Sequence, residues 1–146
     1  MSYRFHNEVE LRWKDIDSTG VLNNAVYLTF LEQARYRYFR SLGLLRGESF
    51  PFLLGETCVR FLKPARSGMR IGVVARVEAI GNKSLEMSYE VRAGDLVLAS
   101  ALATLVWTDE ELRSCPIPDE ARTRIEAFEG RPLSSSSQPT SKLESP

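Results

Sequence analysis

Two aspartates and two asparagines lie close together near the start of the chain. Asp15 and Asp17 follow an alternating segment, and Asn23 and Asn24 precede a long apolar one. A carboxylate can activate water or attack a carbonyl carbon, and the N–H groups at a helix start can stabilise negative charge that develops on oxygen. We therefore expect the chemistry of this protein within residues 15–24.

The flanking residues predict a strand and a helix that would position these groups. From Phe5 to Trp13, apolar side chains alternate with charged ones, which predicts a half-buried strand. Either Asn23 or Asn24 can cap a helix, because an asparagine oxygen accepts from the N–H groups of the first turn. The predicted helix runs to about Gly43 and is apolar over most of its circumference, so we expect other elements to wrap it.

Four further segments are predicted as strands. Residues 57–62, 71–79 and 84–92 alternate with a period of two, whereas residues 96–107 are almost continuously apolar, as in a strand that is central in a sheet or covered on both faces. Short turns between them indicate an antiparallel meander, and residues 118–128 predict a short terminal helix. The fold class is α+β, with a five-stranded antiparallel sheet wrapped around one long central helix. Such a sheet leaves edge strands, so a homodimer or homotetramer is expected.

Length and composition predict the domain organisation, the kind of partner and the location of the protein. The 146 residues predict one domain over 1–130 and a disordered Ser/Pro-rich tail over 131–146. The 19 basic and 19 acidic residues cancel, which argues against nucleic acid or a membrane as partner. No run suits a signal or a membrane span, so a cytoplasmic protein is expected. Cys58 and Cys115 are predicted to be reduced thiols, and with one histidine no metal site is expected.

Residues 15–27 carry a family resemblance. They read Asp-Ile-Asp-Ser-Thr-Gly-Val-Leu-Asn-Asn-Ala-Val-Tyr, between a predicted strand and a long aromatic helix. This pattern resembles the hot-dog-fold acyl-CoA thioesterases of the 4-hydroxybenzoyl-CoA thioesterase type. The resemblance implies a hot-dog fold, Asp17 as catalytic carboxylate and Asp15 as a less critical acid. It also implies that the backbone N–H of Asn24 polarises the thioester carbonyl.

Two positions depart from the family pattern. Many relatives have histidine at the position of Val21, and some have histidine at that of Asn24. A helix start needs no side chain to provide donors, and its dipole favours an ionised Asp17. That state suits a nucleophile or a general base, and the sequence leaves the choice between them open.

Several residues are candidates for substrate binding, each with a structural alternative. The candidates are Asn23, Tyr27, Lys63, Lys83 and Ser84. Arg66 and Arg70 are further positively charged residues that could bind the phosphates of coenzyme A. Asn23 is more typical of a helix cap, Tyr27 of plain core, and basic residues at strand ends of solvated surface. Glu32 is interpreted as a partner of Arg35 rather than a second catalytic acid.

The sequence thus predicts a thioesterase that hydrolyses an acyl-CoA or acyl-carrier-protein thioester without a metal or organic cofactor, coenzyme A being part of the substrate. A non-catalytic domain that binds acyl-CoA is the alternative, although it would not need Asp17. A dehydratase or hydratase on the same fold generally needs a histidine in the groove, and His6 is the only one. The acyl group is left open.

Overall fold

The computed structural model describes residues 2–134. One antiparallel sheet packs against a long helix, and a short helix lies at the end of the described chain. In chain order the elements are β1 (Phe5–Val9), a 3₁₀ turn (Trp13–Asp15), α1 (Asn24–Ser41), β2 (Phe52–Phe61), β3 (Ile71–Ile80), β4 (Ser84–Ala93), β5 (Leu96–Trp107) and α2 (Asp119–Glu129).

The five strands form one sheet in the order β1-β3-β4-β5-β2, and every pair is antiparallel. This confirms the predicted five-stranded sheet. Strands β3, β4 and β5 form a meander, as their short turns predict, but β2 pairs with β5 instead of β3. The predicted meander of four strands is therefore wrong at the β2–β3 connection. Residues 62–70 are long enough to cross the end of the sheet, whereas the short turns of the later connections force neighbouring strands together.

Helix α1 buries one face against the sheet. Tyr27, Leu31 and Tyr38 are at most 2% exposed on that face. Tyr89 of β4 packs beneath the helix and is also fully buried. Burying a large apolar side chain stabilises a fold by about 1.5–3 kcal/mol, so this contact holds the two layers together. The helix is nevertheless covered on one side only, since Leu28 is 48% exposed.

The first strand ends earlier than predicted. β1 stops at Val9, and the chain then turns so that the Trp13 side chain is 93% exposed. Asp15 causes this turn, because its carboxylate accepts a hydrogen bond from the backbone N–H of Arg12 at 2.9 Å. Alternation in sequence cannot reveal such a local side-chain-to-backbone contact.

The helix boundaries agree closely with the sequence. Asn23 is the N-cap of α1 and Asn24 its first residue, while Gly43 has a φ of +69° just beyond the C-terminus. The packed chain continues to Leu133, which is buried and whose carbonyl accepts from the N–H of Ile80 at 2.9 Å. Leu133, beyond the boundary predicted at residue 130, thus still packs against the end of β3. Residues 135–146 of the predicted tail lie outside the described residues.

Candidate active site

A tight turn presents Asp17 between β1 and α1. The N–H of Asp17 donates to the carbonyl of Val21 at 2.8 Å, and the N–H of Gly20 donates to the carbonyl of Asp17 at 3.0 Å. Gly20 has a φ of +81°, a conformation that glycine adopts without the steric cost of a side chain. The two backbone bonds close the turn and leave the Asp17 side chain exposed at its tip.

The same turn is attached to the loop after β2 and to the start of α1. The N–H of Leu22 donates to the carbonyl of Ala65 at 2.8 Å, and Val21 forms a bridge with Arg66. The N–H of Asn23 donates to the carbonyl of Asp15 at 2.9 Å. These bonds hold the Asp17 turn and the helix start in one relative position.

Asp15 and Asp17 have different environments although they are two residues apart. Asp15 is 1% exposed, and its carboxylate accepts from the Arg12 side chain through Nε at 3.2 Å and Nη2 at 3.0 Å. The hydrogen bonds from Arg12 are the main reason that the pKa of Asp15 lies below its usual value. Asp15 therefore serves the structure of the turn.

The Asp17 side chain is exposed, and within residues 2–134 only its Oδ1 accepts hydrogen bonds. Its Oδ1 accepts from the N–H of Thr19 at 2.8 Å, the Thr19 hydroxyl at 2.5 Å and the N–H of Val21 at 3.4 Å. The Thr19 hydrogen bonds, the hydroxyl first, place the pKa of Asp17 below its ordinary value, so the carboxylate is ionised at neutral pH. Hydrogen bonds from Thr19, rather than the helix dipole expected from the sequence, thus account for the lowered pKa. An Asp-x-Thr spacing in a turn is the signal that could have indicated it.

The N-terminus of α1 offers one unpaired donor. The side chain of Asn23 accepts from the N–H of Ala25 at 3.0 Å, which confirms its interpretation as a cap. The N–H of Val26 donates to the carbonyl of Asn23, also at 3.0 Å. The N–H of Asn24 donates to no atom within residues 2–134. That N–H remains available to an oxygen of a ligand.

Two cavities flank this segment. One, of about 550 Å³, is lined by Asp17 together with Leu11, Trp13, Ile16 and Met69 among others. The other, of about 250 Å³, is lined by residues that include Val21, Asn24, Tyr27, Phe61 and Lys63. Asp17 therefore lines one cavity and Asn24 the other.

The structure brings together some of the predicted binding residues and separates others. Asn24, Tyr27 and Lys63 line the same cavity. Burial raises the pKa of Tyr27, whose ring packs edge-on against Phe61. Lys83 and Ser84 lie at the β3–β4 turn, where the register pairs Ser84 with Val106 near the opposite end of the sheet. At about 3.3 Å per strand residue they are roughly 25 Å from the Lys63 end, so one chain does not bring them to Asp17.

Two other predictions concern charged and thiol side chains. The predicted pairing of Glu32 with Arg35 is wrong, because Arg35 is buried and its Nε donates to the Tyr89 hydroxyl at 2.9 Å. Helical spacing gives proximity but does not show which side chain faces the core. Cys58 and Cys115 are both free thiols, as predicted.

A five-stranded antiparallel sheet packed on one long helix is the hot-dog fold of the thioesterases. The model of the thioesterase-like superfamily matches residues 11–125 of this chain. The chain belongs to that superfamily.

Individual relatives agree with this assignment. A thioesterase from Thermus thermophilus, solved with coenzyme A and zinc, has a TM-score of 0.84 and 36% identity, covering 90% of this chain and 98% of its own. A chloroplastic acyl-acyl carrier protein thioesterase of Arabidopsis thaliana is 29% identical over 134 residues, covering 86% of this chain and 70% of the relative. A 1,4-dihydroxy-2-naphthoyl-CoA hydrolase of Nostoc punctiforme is 27% identical over 126 residues, covering 82% and 84%.

Within residues 2–134, no cluster of three or more histidine, cysteine or acidic side chains has the arrangement of a metal site. Neither helix in that part of the chain is long and apolar enough to cross a membrane.

We predict that Asp15→Asn destabilises the protein while leaving turnover within a few-fold of the native value. The melting temperature should fall by about 3–8 °C at neutral pH, because the amide cannot replace the charged bonds to Arg12. The folded pKa is lowered, so this stabilisation is present above roughly pH 4 and is lost as the pH falls through the folded value. The melting difference between native and variant protein should therefore shrink in acid. Lost turnover with unchanged melting would contradict a structural role for Asp15.

Proposed function

We propose that this protein is a thioesterase that hydrolyses an acyl thioester of coenzyme A or of acyl carrier protein to the free acid and the thiol. Membership of the thioesterase-like superfamily supports the reaction class. The observation that carries the proposal is the unpaired N–H of Asn24 at the start of α1, a short turn away from the ionised carboxylate of Asp17. These are the two groups that the reaction requires.

In the proposed reaction, the start of α1 polarises the thioester carbonyl. The thioester oxygen accepts a hydrogen bond from the Asn24 N–H, whose donor strength is increased by the partial positive charge of the helix N-terminus. Negative charge that develops on this oxygen is stabilised there. No metal or organic cofactor is needed for this step.

Asp17 supplies the second group, and two routes are open to it. Its carboxylate can attack the carbonyl carbon, which expels the thiolate and forms an acyl anhydride that water then hydrolyses. Alternatively, it can take a proton from a water molecule that attacks the same carbon. Both routes require an ionised Asp17, which the hydrogen bonds from Thr19 favour.

The substrate proposal rests on the cavity at the helix start and on the relatives. Lys63 lines the same cavity as Asn24, which supports a role for its ammonium group in binding a phosphate of coenzyme A or of a phosphopantetheine arm. The thermophilic relative was solved with coenzyme A, the Arabidopsis relative is an acyl-acyl carrier protein thioesterase, and the Nostoc relative is a naphthoyl-CoA hydrolase. The 4-hydroxybenzoyl-CoA thioesterase type, which residues 15–27 resemble, is one kind of thioesterase within this proposal.

We expect Asp17→Asn to lower kcat/KM by about 10²–10⁴ on every thioester that the native protein hydrolyses, because the amide is neither nucleophile nor base. The measurement is thiol release from short, long and aromatic acyl-CoAs and from acyl carrier protein thioesters. Asp95→Asn, in the exposed β4–β5 turn, is the matched control and should leave the rates unchanged. Near-native turnover by Asp17→Asn would refute the proposed mechanism. Tight binding of acyl-CoA with no hydrolysis by native protein would instead support the alternative of a binding domain.

The role of the Asn24 backbone can be tested without changing the helix. Proline at the first helical position is well tolerated, and the Asn23 ψ of 129° is compatible with a following proline. Asn24→Pro removes the N–H and should lower kcat by about 10²–10³, whereas Asn24→Ala keeps the N–H and should remain active. Circular dichroism would check that both variants keep α1. Equal activities for the two would show that this N–H does not contact the substrate.

We also propose that two copies associate along β2. This edge strand pairs with β5 on one side, and no strand in residues 2–134 pairs with its other side. Four apolar side chains on or next to it are 47–48% exposed: Leu53, Leu54, Phe61 and Leu62. An open edge with exposed apolar side chains is a surface that proteins usually cover. Its Phe61 end borders the cavity at Asn24, so a partner there would also enclose the site.

Sedimentation should therefore show about twice the 16.5 kDa mass of one chain or a multiple of it. Replacing Leu53 and Leu54 together by lysine should shift the protein towards monomer, because two charges would have to be buried at the edge. Leu112→Lys is the control, since that side chain is also exposed but lies on the loop after β5. Native protein that sediments as a monomer at micromolar concentration would exclude this association.

A further inference from the structure

The two oxygens of Asp17 are not equivalent. Oδ1 accepts three hydrogen bonds, from the Thr19 N–H at 2.8 Å, the Thr19 hydroxyl at 2.5 Å and the Val21 N–H at 3.4 Å. Oδ2 accepts none from residues 2–134. One oxygen is thus occupied by the turn, while the other faces the surroundings with its lone pairs unused.

We propose that Thr19 is a positioning residue that holds Asp17 by Oδ1 and thereby makes Oδ2 the oxygen that reacts with the thioester or with water. This inference rests on the proposed function, in which Asp17 is the nucleophile or base. The terminal torsion of an aspartate is broad, so an exposed carboxylate without such a contact would sample many orientations. Holding a reacting group in one orientation increases the rate of the step that it performs.

The hydroxyl of Thr19 is the part of this contact that depends on the residue type. Any residue except proline would offer the backbone N–H, and the Val21 bond is long. Threonine is branched at Cβ, which restricts its first side-chain torsion and keeps the hydroxyl beside the carboxylate. Valine has nearly the same shape without the donor, and serine keeps the donor with a freer torsion.

The hydroxyl also influences the charge of Asp17. It is the largest contribution to the lowered pKa of this carboxyl, ahead of the Thr19 N–H, and no charged side chain contributes. The charged groups around the turn are Arg12, which is bonded to Asp15, its neighbour Lys14, and Arg66 on the facing loop; none of them bonds to Asp17. Removing the hydroxyl should therefore raise the pKa of Asp17.

The first test compares Thr19→Val with Thr19→Ser. In Thr19→Val we expect kcat at neutral pH to fall about tenfold with little change in KM, because one strong bond to the reacting carboxylate is lost. Since activity needs the ionised carboxylate, the acid limb of the pH profile should move to higher pH. A ¹³C NMR titration of the Asp17 carboxyl should show the same direction of shift. Thr19→Ser should restore most of kcat and the native titration.

A second test separates positioning from general stability. Because Thr19 acts through Asp17, adding Thr19→Val to Asp17→Asn should cause no further loss. A further loss in the double variant, or native kcat and an unchanged Asp17 titration in Thr19→Val, would overturn the inference. If Asp17→Asn itself turned over at the native rate, the proposed function would fail. The NMR titration would in that case still decide whether the Thr19 hydroxyl controls the Asp17 carboxylate.

Discussion

The site depends on the backbone hydrogen bonds that join the Asp17 turn to the start of α1 and to the loop after β2. The N–H of Asn23 donates to the carbonyl of Asp15, and that of Leu22 to the carbonyl of Ala65. Without these two bonds, the carboxylate and the unpaired Asn24 N–H would belong to independently moving segments. A reaction that needs both groups at one carbonyl requires their relative position to be constant.

Helix α1 covers only part of the sheet. The helix packs against β1 and β3 and reaches β4 through the hydrogen bond from Arg35 to Tyr89. Its contacts with β2 include the ring pairs Tyr27 with Phe61 and Phe39 with Phe52. The remaining apolar surface of β2 stays partly exposed. The exposed apolar side chains of β2 and the cavity that its Phe61 end borders thus lie along the same strand.

Asp15 and Asp17 illustrate how neighbours give one residue type two roles. Both carboxylates have lowered pKa values, but the exposed Arg12 side chain forms an ion pair with the buried Asp15, while Thr19 holds Asp17 with uncharged donors. A neutralised, buried carboxylate stabilises the turn and is withdrawn from solvent. A carboxylate that is held by uncharged donors keeps its full negative charge and an accessible oxygen. A nucleophile or a base requires that state.

Much of the fold could be predicted from the hydrophobic pattern of the sequence. Alternation identified β3 and β4, a nearly continuous apolar run identified β5, and the asparagine pair located the start of α1 correctly, because caps and hydrophobic patterns are local properties of the chain. The early end of β1 and the placement of β2 beside β5 were not predictable in this way. They depend on a contact between Arg12 and Asp15 and on the path of a long loop.

The sequence by itself determined which residues could do chemistry and that a helix begins at the Asn23–Asn24 pair, since residue type and capping are encoded within a few positions. Only the tertiary structure decided that Asp15 is buried while Asp17 is exposed, that Thr19 occupies Oδ1, and that Lys63 lies near the helix start while Lys83 does not. The reason is that burial, hydrogen-bond partners and distance across a sheet are set by segments far apart in the chain.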